Sequence, residues 1–331
     1  MLNAMRNYYI FKSGRLSRKD NSIMFETQEE FKSIPVNDID SLYIFGEVDI
    51  NTKALNFLAQ KGIVVHIFNY YGWWTGSLYP REELLAGEVV IRQAEHYLDR
   101  NKRIEIAREF VKGAIHGFVY NLKRYKHKDI GKEIFQQLDN YLNLVNEQED
   151  IPSLMGIEGN ARDLYYDMFP NIIRQDIEFD KRVKRPPNNI MNALISFVNS
   201  LVYTAVLKEI YRTQLNPTIS YLHEPSYRRF SLALDVAEIF KPIYGDRTIF
   251  DLLNNRSITE DHFDKDLNYC YLKETGRKIV VKAFEEKLNT TIKHKKLKRN
   301  VSYERIIRLE LYKLIKHLLG EEVYKSFRIW W

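Results

Sequence analysis

Asp235 and Glu238 lie three residues apart in SLALDVAEIF, residues 231–240, a run that is otherwise apolar after its first residue. On a helix that spacing puts both carboxylates on one face. A buried carboxylate is costly unless it is neutralised, paired or bound to a cation. His223 stands just upstream, and Pro225 lets the chain turn between the imidazole and the helix. A histidine with one or two carboxylates aimed at a common point forms a mixed nitrogen and oxygen donor set. Such a set suits Mg2+, Mn2+ or a transition ion. The alternative is that Asp235 and Glu238 pair with Arg162, Arg228 or Arg229, since structural ion-pair networks also recur in proteins.

A third acid, Glu158, sits between two glycines in SLMGIEGNARDLYYDMF, residues 153–169. Gly156 and Gly159 each weaken a helix by about 1 kcal/mol relative to alanine. Their use there predicts a close approach of backbone or ligand. Met155 and Ile157 predict that Glu158 is partly enclosed. Other chemistries fail on spacing. His223-Glu224 lacks the second histidine of a zinc-protease helix, because position 227 is tyrosine. GIEGNA fits neither a phosphate-binding loop nor a dinucleotide fingerprint, and no nucleophile elbow occurs. Cys270, between two tyrosines, reads as a packed thiol.

These residues need elements to carry them. Before residue 80, short β-rich runs alternate with turn signals: YYIFK (8–12), SIMFET (22–27), DSLYIFG (40–46) and IVVHIF (63–68). One short helix, TKALNFLAQKG, ends at Gly62. Beyond Tyr79-Pro80 the period becomes helical over 89–125, 153–169, 190–211, 231–240 and 302–320, with breaks at Pro186-Pro187 and Pro242. The fold class is α+β. Residues 1–82 are read as a small, mostly antiparallel β domain and residues 83–331 as a larger all-α domain.

The segment 190–207 has no charge and is near membrane-spanning length. Yet Asn192, Ser196, Asn199, Ser200 and Thr204 form one polar stripe on it, which disfavours lipid and predicts a central core helix. The stripe would need partners, and supporting the site acids from behind is one use for it. The chain has 331 residues, net charge +6, 45% hydrophobic residues and one cysteine. That excludes a disulfide scaffold and a disordered chain, and it allows a polyanionic partner. With no apolar targeting region at the N-terminus, the expected location is cytoplasmic. Two basic clusters are candidate phosphate contacts. One is Lys293, Lys295, Lys296, Lys298 and Arg299; the other is Lys181, Arg182, Lys184 and Arg185. Each could instead be a solvated face.

The blocks GIEGNAR, KRPPNNIMNALISFVNSLVY and YLHEPSYRRFSLALDVAEIFKPIYGDR, in that order, resemble the CRISPR-associated integrase endonuclease family, CRISPR-associated protein one. So does IFGEVDINTKALNFLAQKGIVVHIFNYYGWWTGSLYPRE near the N-terminus. The likeness spans nearly the whole chain and is strongest to versions found with type I-B and related systems. It implies an N-terminal β-sandwich domain used for dimerisation, followed by a helical catalytic domain. It implies Glu158, His223 and Glu238 as ligands of Mg2+ or Mn2+, with Asp235 at a further acidic position. It implies a homodimer that works with a small ferredoxin-like Cas partner on double-stranded DNA, the protospacer and the CRISPR repeat, and no membrane. The reaction would be attack of a protospacer 3′-OH on a phosphodiester at a repeat boundary. A non-catalytic DNA-binding scaffold and a metal-dependent hydrolase of a small phosphoester are the alternatives.

Overall fold

The computed structural model describes residues 5–80, 84, 86–125, 130–184, 186–225, 230–266 and 269–330. The chain divides into two compact units, Met1–Glu83 and Leu84–Trp331.

The first unit holds β1 (Arg6–Ile10), β2 (Gly14–Lys19), β3 (Ser22–Glu26), β4 (Phe31–Pro35), β5 (Ile39–Ile44), β6 (Val48–Ile50), α1 (Thr52–Gln60), β7 (Val64–Phe68) and β8 (Trp74–Leu78). They form two four-stranded sheets, ordered β1-β5-β7-β8 and β4-β3-β2-β6. The expectation of a mostly antiparallel domain needs correction. β1 with β5, β5 with β7, and β2 with β6 are parallel. Parallel neighbours need crossovers: β2–β4 join β1 to β5, β6–α1 join β5 to β7, and β3–β5 join β2 to β6. Turn signals between short strands look alike whether the chain reverses into the same sheet or leaves for the other one. Gly62, at φ +70°, closes α1 as foreseen. Leu16, Ile23 and Ile34 from one sheet, Leu42, Ile44 and Val65 from the other, and Leu58 from α1 join a single apolar cluster. Each such side chain, fully buried, contributes about 1.5–3 kcal/mol.

The second unit contains α2 (Gly87–Leu98), α3 (Arg100–Arg124), α4 (Lys132–Glu147), α5 (Ile151–Tyr166), α6 (Phe169–Ile172), α7 (Ile190–Tyr211), α8 (Ser231–Phe240), α9 (Arg247–Asn254), β9 (Phe263–Asp266), β10 (Tyr269–Leu272), α10 (Glu274–Asn289), β11 (Thr291–Lys293), β12 (Asn300–Ser302) and α11 (Tyr303–Leu318). It is therefore helical but not all-α, because β9–β10 and β11–β12 are antiparallel hairpins. Three-residue strands such as β11 are too short to show a period. The run 89–125 is two helices, because Asp99 accepts from the backbone N–H groups of Asn101 and Lys102 and caps α3.

Helix α7 is a core helix, with its most apolar 18-residue window 83% buried. Asn192, Ser196, Ser200 and Thr204 of its polar stripe are bonded away from the site acids. Asn192 Oδ1 accepts from Arg182 Nη1 (3.0 Å) and Val183 N (3.1 Å), and Arg182 Nη2 donates to Ser196 Oγ (2.8 Å). Thr204 donates back to the carbonyls of Ser200 and Leu201. Arg182, expected among the phosphate contacts, is instead turned inward. A polar stripe on a buried helix must be hydrogen-bonded, and this guanidinium does that.

Pro242 does not break the chain as expected. It lies in a π-helical turn, Lys241–Asp246, which runs from α8 straight into α9. Proline removes an N–H and crowds the preceding turn, and the wider turn accommodates both effects. Buried Asn121 supports the turn, its Nδ2 donating to Pro242 O (2.6 Å) and Tyr165 OH (2.9 Å). Two glycines of α3 set the depth of α8. A Cβ on Gly113 would lie 3.0 Å from Ile239 Cγ1, and one on Gly117 would lie 3.0 Å from Pro242 ring carbons. Both are inside the roughly 3.5–4.0 Å optimum for carbon pairs, so a side chain at either position would press on α8 or on the turn that follows it.

Candidate functional site

Helix α8 is the platform. Asp235 is fully buried and Glu238 nearly so. The two carboxylates have different duties. Asp235 Oδ2 accepts from the N–H groups of Tyr221 (2.7 Å) and Leu222 (2.9 Å). Its Oδ1 accepts from His223 N (2.9 Å) and faces His223 Nδ1 (2.9 Å). One side chain thus stitches the 221–223 segment to the helix and orients the imidazole. With Nδ1 engaged, Nε2 is the nitrogen left to ligate. Ser220 Oγ donates to His223 O (2.6 Å) and fixes the same turn.

Glu238 turns the other way. It pairs with Lys241 one turn along and with Arg162 of α5. Arg162 also bonds Glu158, through Nε (2.9 Å) and through Nη2. Glu158 and Glu238, 80 residues apart in the chain, therefore meet on one guanidinium. That guanidinium stands 5.3 Å from the centroid of the Phe118 ring and is hydrogen-bonded with Tyr166. The ion-pair alternative thus describes Glu238 correctly, through Arg162, whereas Arg228 and Arg229 lie outside the described residues. Asp235 has a histidine and backbone donors instead.

The electrostatics couple these groups. Burial pushes the Glu238 carboxyl up, but Arg162, Lys241 and His223 overcome it and hold it at about 2. Burial pulls the His223 imidazole down, and the hydrogen bond and charge of Asp235, with Glu238, leave it raised. Asp246, buried behind Arg162 and bonded with Tyr165, is pushed up to about 7, chiefly by burial. A carboxyl depressed on folding stabilises the protein above its unfolded pKa of about 4.5 and loses that contribution as pH falls towards about 2. In EDTA, the denaturation free energy should therefore drop through that acid window. Glu238→Gln should flatten the drop; identical acid limbs in urea titrations would exclude the coupling.

Of the backbone or ligand approach expected at the flanking glycines, the backbone part needs correction. A Cβ on either Gly156 or Gly159 would meet nothing within 4 Å. Glu158 is enclosed, with its side chain 16% exposed, but Arg162 and Glu238 enclose it while Met155 points outward. The sequence reading missed Lys241, Tyr166 and Asp246. Only Lys241 carried a signal, at three residues from Glu238. Of the basic clusters, Lys293, Lys295, Lys296, Lys298 and Arg299 lie exposed on the β11–β12 hairpin. Lys181 and Lys184 are exposed, and Arg185 lies outside the described residues. The Lys184 pKa is lowered, first by burial, then by Arg182, and then by Lys241 and Arg162 of the site.

Among the described residues, no group of three or more His, Cys, Asp or Glu side chains is close enough to share an ion as it stands. The donor chemistry nevertheless suits a divalent cation. Two carboxylates already converge on one positive charge, and an imidazole beside them is held by its other nitrogen. An oxygen-rich set with one imidazole accommodates Mg2+ or Mn2+.

Two acids gathered on one guanidinium beside an oriented imidazole, in an α+β protein, make up the candidate site. The family model described as CRISPR associated protein Cas1 matches residues 8–286. The CRISPR-associated endonuclease Cas1 3 of Thermodesulfovibrio yellowstonii is 55% identical over 328 residues, covering 99% of this chain and 100% of the relative. A solved CAS1 protein from Thermotoga maritima superimposes with TM-score 0.88 at 43% identity, over 98% of this chain and 100% of that one. A casposase bound to integration product shares the fold, with TM-score 0.85 at 19% identity over 97% of this chain and 93% of that one. The chain belongs to the CRISPR-associated Cas1 family. It is accordingly a CRISPR-associated endonuclease.

Proposed function

We propose that Glu158, His223 and Glu238 hold one Mg2+ or Mn2+ and that the protein joins the 3′-OH ends of a protospacer duplex to phosphodiesters at the boundaries of a CRISPR repeat. The observation that carries this reading is the meeting of Glu158 and Glu238 on one cation beside the Asp235-held imidazole. Bound there, a divalent ion supplies Lewis acidity to the phosphoryl oxygen and to the attacking or leaving oxygen. The chain supplies the rest. Asp235 keeps the proton of His223 on Nδ1, so Nε2 presents a lone pair. Lys241 and Lys184 add positive charge where a phosphate would sit. The exposed β11–β12 hairpin and Lys181 add phosphate contacts without reading sequence. With water in place of the 3′-OH the outcome is nicking.

One chain carries one such centre, whereas integration needs two strand transfers, so a homodimer is the simplest assembly. We read it as paired through the N-terminal unit, which we take as a sandwich because both of its sheets feed one core. A small ferredoxin-like Cas protein would join two dimers, in the cytoplasm, in a type I-B or related system.

The test is a plasmid carrying a CRISPR array, incubated with a 3′-OH duplex and the small partner in Mn2+, Mg2+ or EDTA. Branched products at repeat boundaries are expected with either metal and none in EDTA. Tight DNA binding without products in either metal would indicate a scaffold. Preferential turnover of a small phosphodiester would indicate a different hydrolase.

A further inference from the structure

Arg162 is an unusual neighbour for a metal site. Its guanidinium bonds Glu158 Oε1 and Glu238 Oε2, oxygens that the proposed ion would also use. Arginine does not deprotonate in proteins, so it cannot leave by losing its charge. It is not a loose surface group either. Its side chain is 15% exposed, and Phe118 lies under it at 5.3 Å with Tyr166 bonded to it. Glu158 and Arg162 are one helical turn apart, so folding of α5 alone brings the cation to the acid. Without it, two largely buried carboxylates would face each other with Lys241 as the neighbouring charge, which burial makes costly.

We infer that Arg162 is a built-in stand-in for the metal: it neutralises Glu158 and Glu238 in the ion-free protein and must yield its place when a divalent cation binds. The inference rests on reading Glu158, His223 and Glu238 as the ligands. It gives Arg162 two opposed effects. It lets the acid cluster fold before any ion arrives, and it weakens the ion's apparent affinity, because the carboxylates are open to metal only in the fraction of molecules whose guanidinium has moved. Charge repulsion between the two cations adds to that exchange.

The test compares full-length wild type with Arg162→Gln and Arg162→Lys, without DNA. Mn2+ affinity is read by calorimetry and by electron paramagnetic resonance of free Mn2+, and melting is followed in EDTA and in saturating Mn2+. Arg162→Gln should bind one Mn2+ about 10-fold or more tighter than wild type, since a neighbouring unit charge is removed. It should melt lower in EDTA and recover most of the loss in Mn2+. Arg162→Lys, which keeps the charge without the fork, should fall between the two. Equal Mn2+ affinity in wild type and Arg162→Gln would overturn the exchange. Loss of Mn2+ binding in Arg162→Gln would overturn it too, by making Arg162 a support of the ion. If wild type bound no Mn2+ and Glu158→Gln changed nothing, the ligand assignment itself would have failed, and the inference with it. A variant that fails to fold leaves a readout in wild type. The Arg162 Nε–H signal in nitrogen-15 NMR should be protected from exchange in EDTA and lose that protection on Mg2+ saturation; unchanged protection would overturn the inference.

Discussion

Replacing His223 by alanine is expected to abolish DNA cleavage and strand transfer while leaving the fold intact. The imidazole is the single nitrogen donor of the proposed set, and losing a metal's share of charge stabilisation forfeits several kcal/mol of barrier lowering, or at least ~10³-fold in rate. The cost to stability is small. The His223 side chain is 24% exposed, and its hydrogen bond goes to Asp235, which keeps three backbone donors without it. His223→Ala is a sharper probe than Glu238→Gln, because Glu238 also anchors Arg162 and Lys241. The measurements are strand transfer with pre-cut ends, Mn2+ titration and thermal melting. Full activity with a wild-type Mn2+ isotherm would remove His223 from the site.

Asp235→Asn should damage the protein in a different pattern, costing stability and metal affinity together. Four donor groups converge on the two oxygens of Asp235. An asparagine offers one oxygen and one NH2, so at least one pair of donors faces another donor. Each stranded buried donor costs about 1–3 kcal/mol, which predicts a loss of about 2–5 kcal/mol in urea denaturation in EDTA. If the NH2 faces the ring, Nδ1 becomes the acceptor and the proton moves to Nε2, the nitrogen needed for the ion. Metal affinity should then fall about 10- to 100-fold. Unchanged stability would contradict the hydrogen-bond account. Unchanged Mn2+ affinity in a destabilised variant would show that Asp235 holds the backbone without governing the imidazole.

Much of this centre was legible one residue at a time. The 231–240 run matches α8 end to end, and 190–211 matches α7, because long apolar stretches with clear periods leave little choice of structure. Carboxylates in such a run demanded a partner on energetic grounds alone, and His223, Glu158 and Arg162 were within view as candidates. The division of labour was not. Asp235 and Glu238 share a helix face, yet one is committed to the 221–223 backbone and the other to a cation from α5. That choice depends on how α3, with Gly113 and Gly117, seats α8 against its neighbours.

The same limit explains the other differences. Pro242 breaks a helix considered alone, but Asn121, 121 residues away, supports a π-helical turn. Arg182 read as a surface cation until the polar stripe of α7 claimed it. Parallel pairing of β5 with β7 is invisible in the strands themselves, because it follows from where the β6–α1 crossover returns the chain. Residue type and spacing determined which groups needed partners, since that depends on burial and charge. Only the tertiary structure decided which partner each one took, since that depends on contacts between residues far apart in sequence.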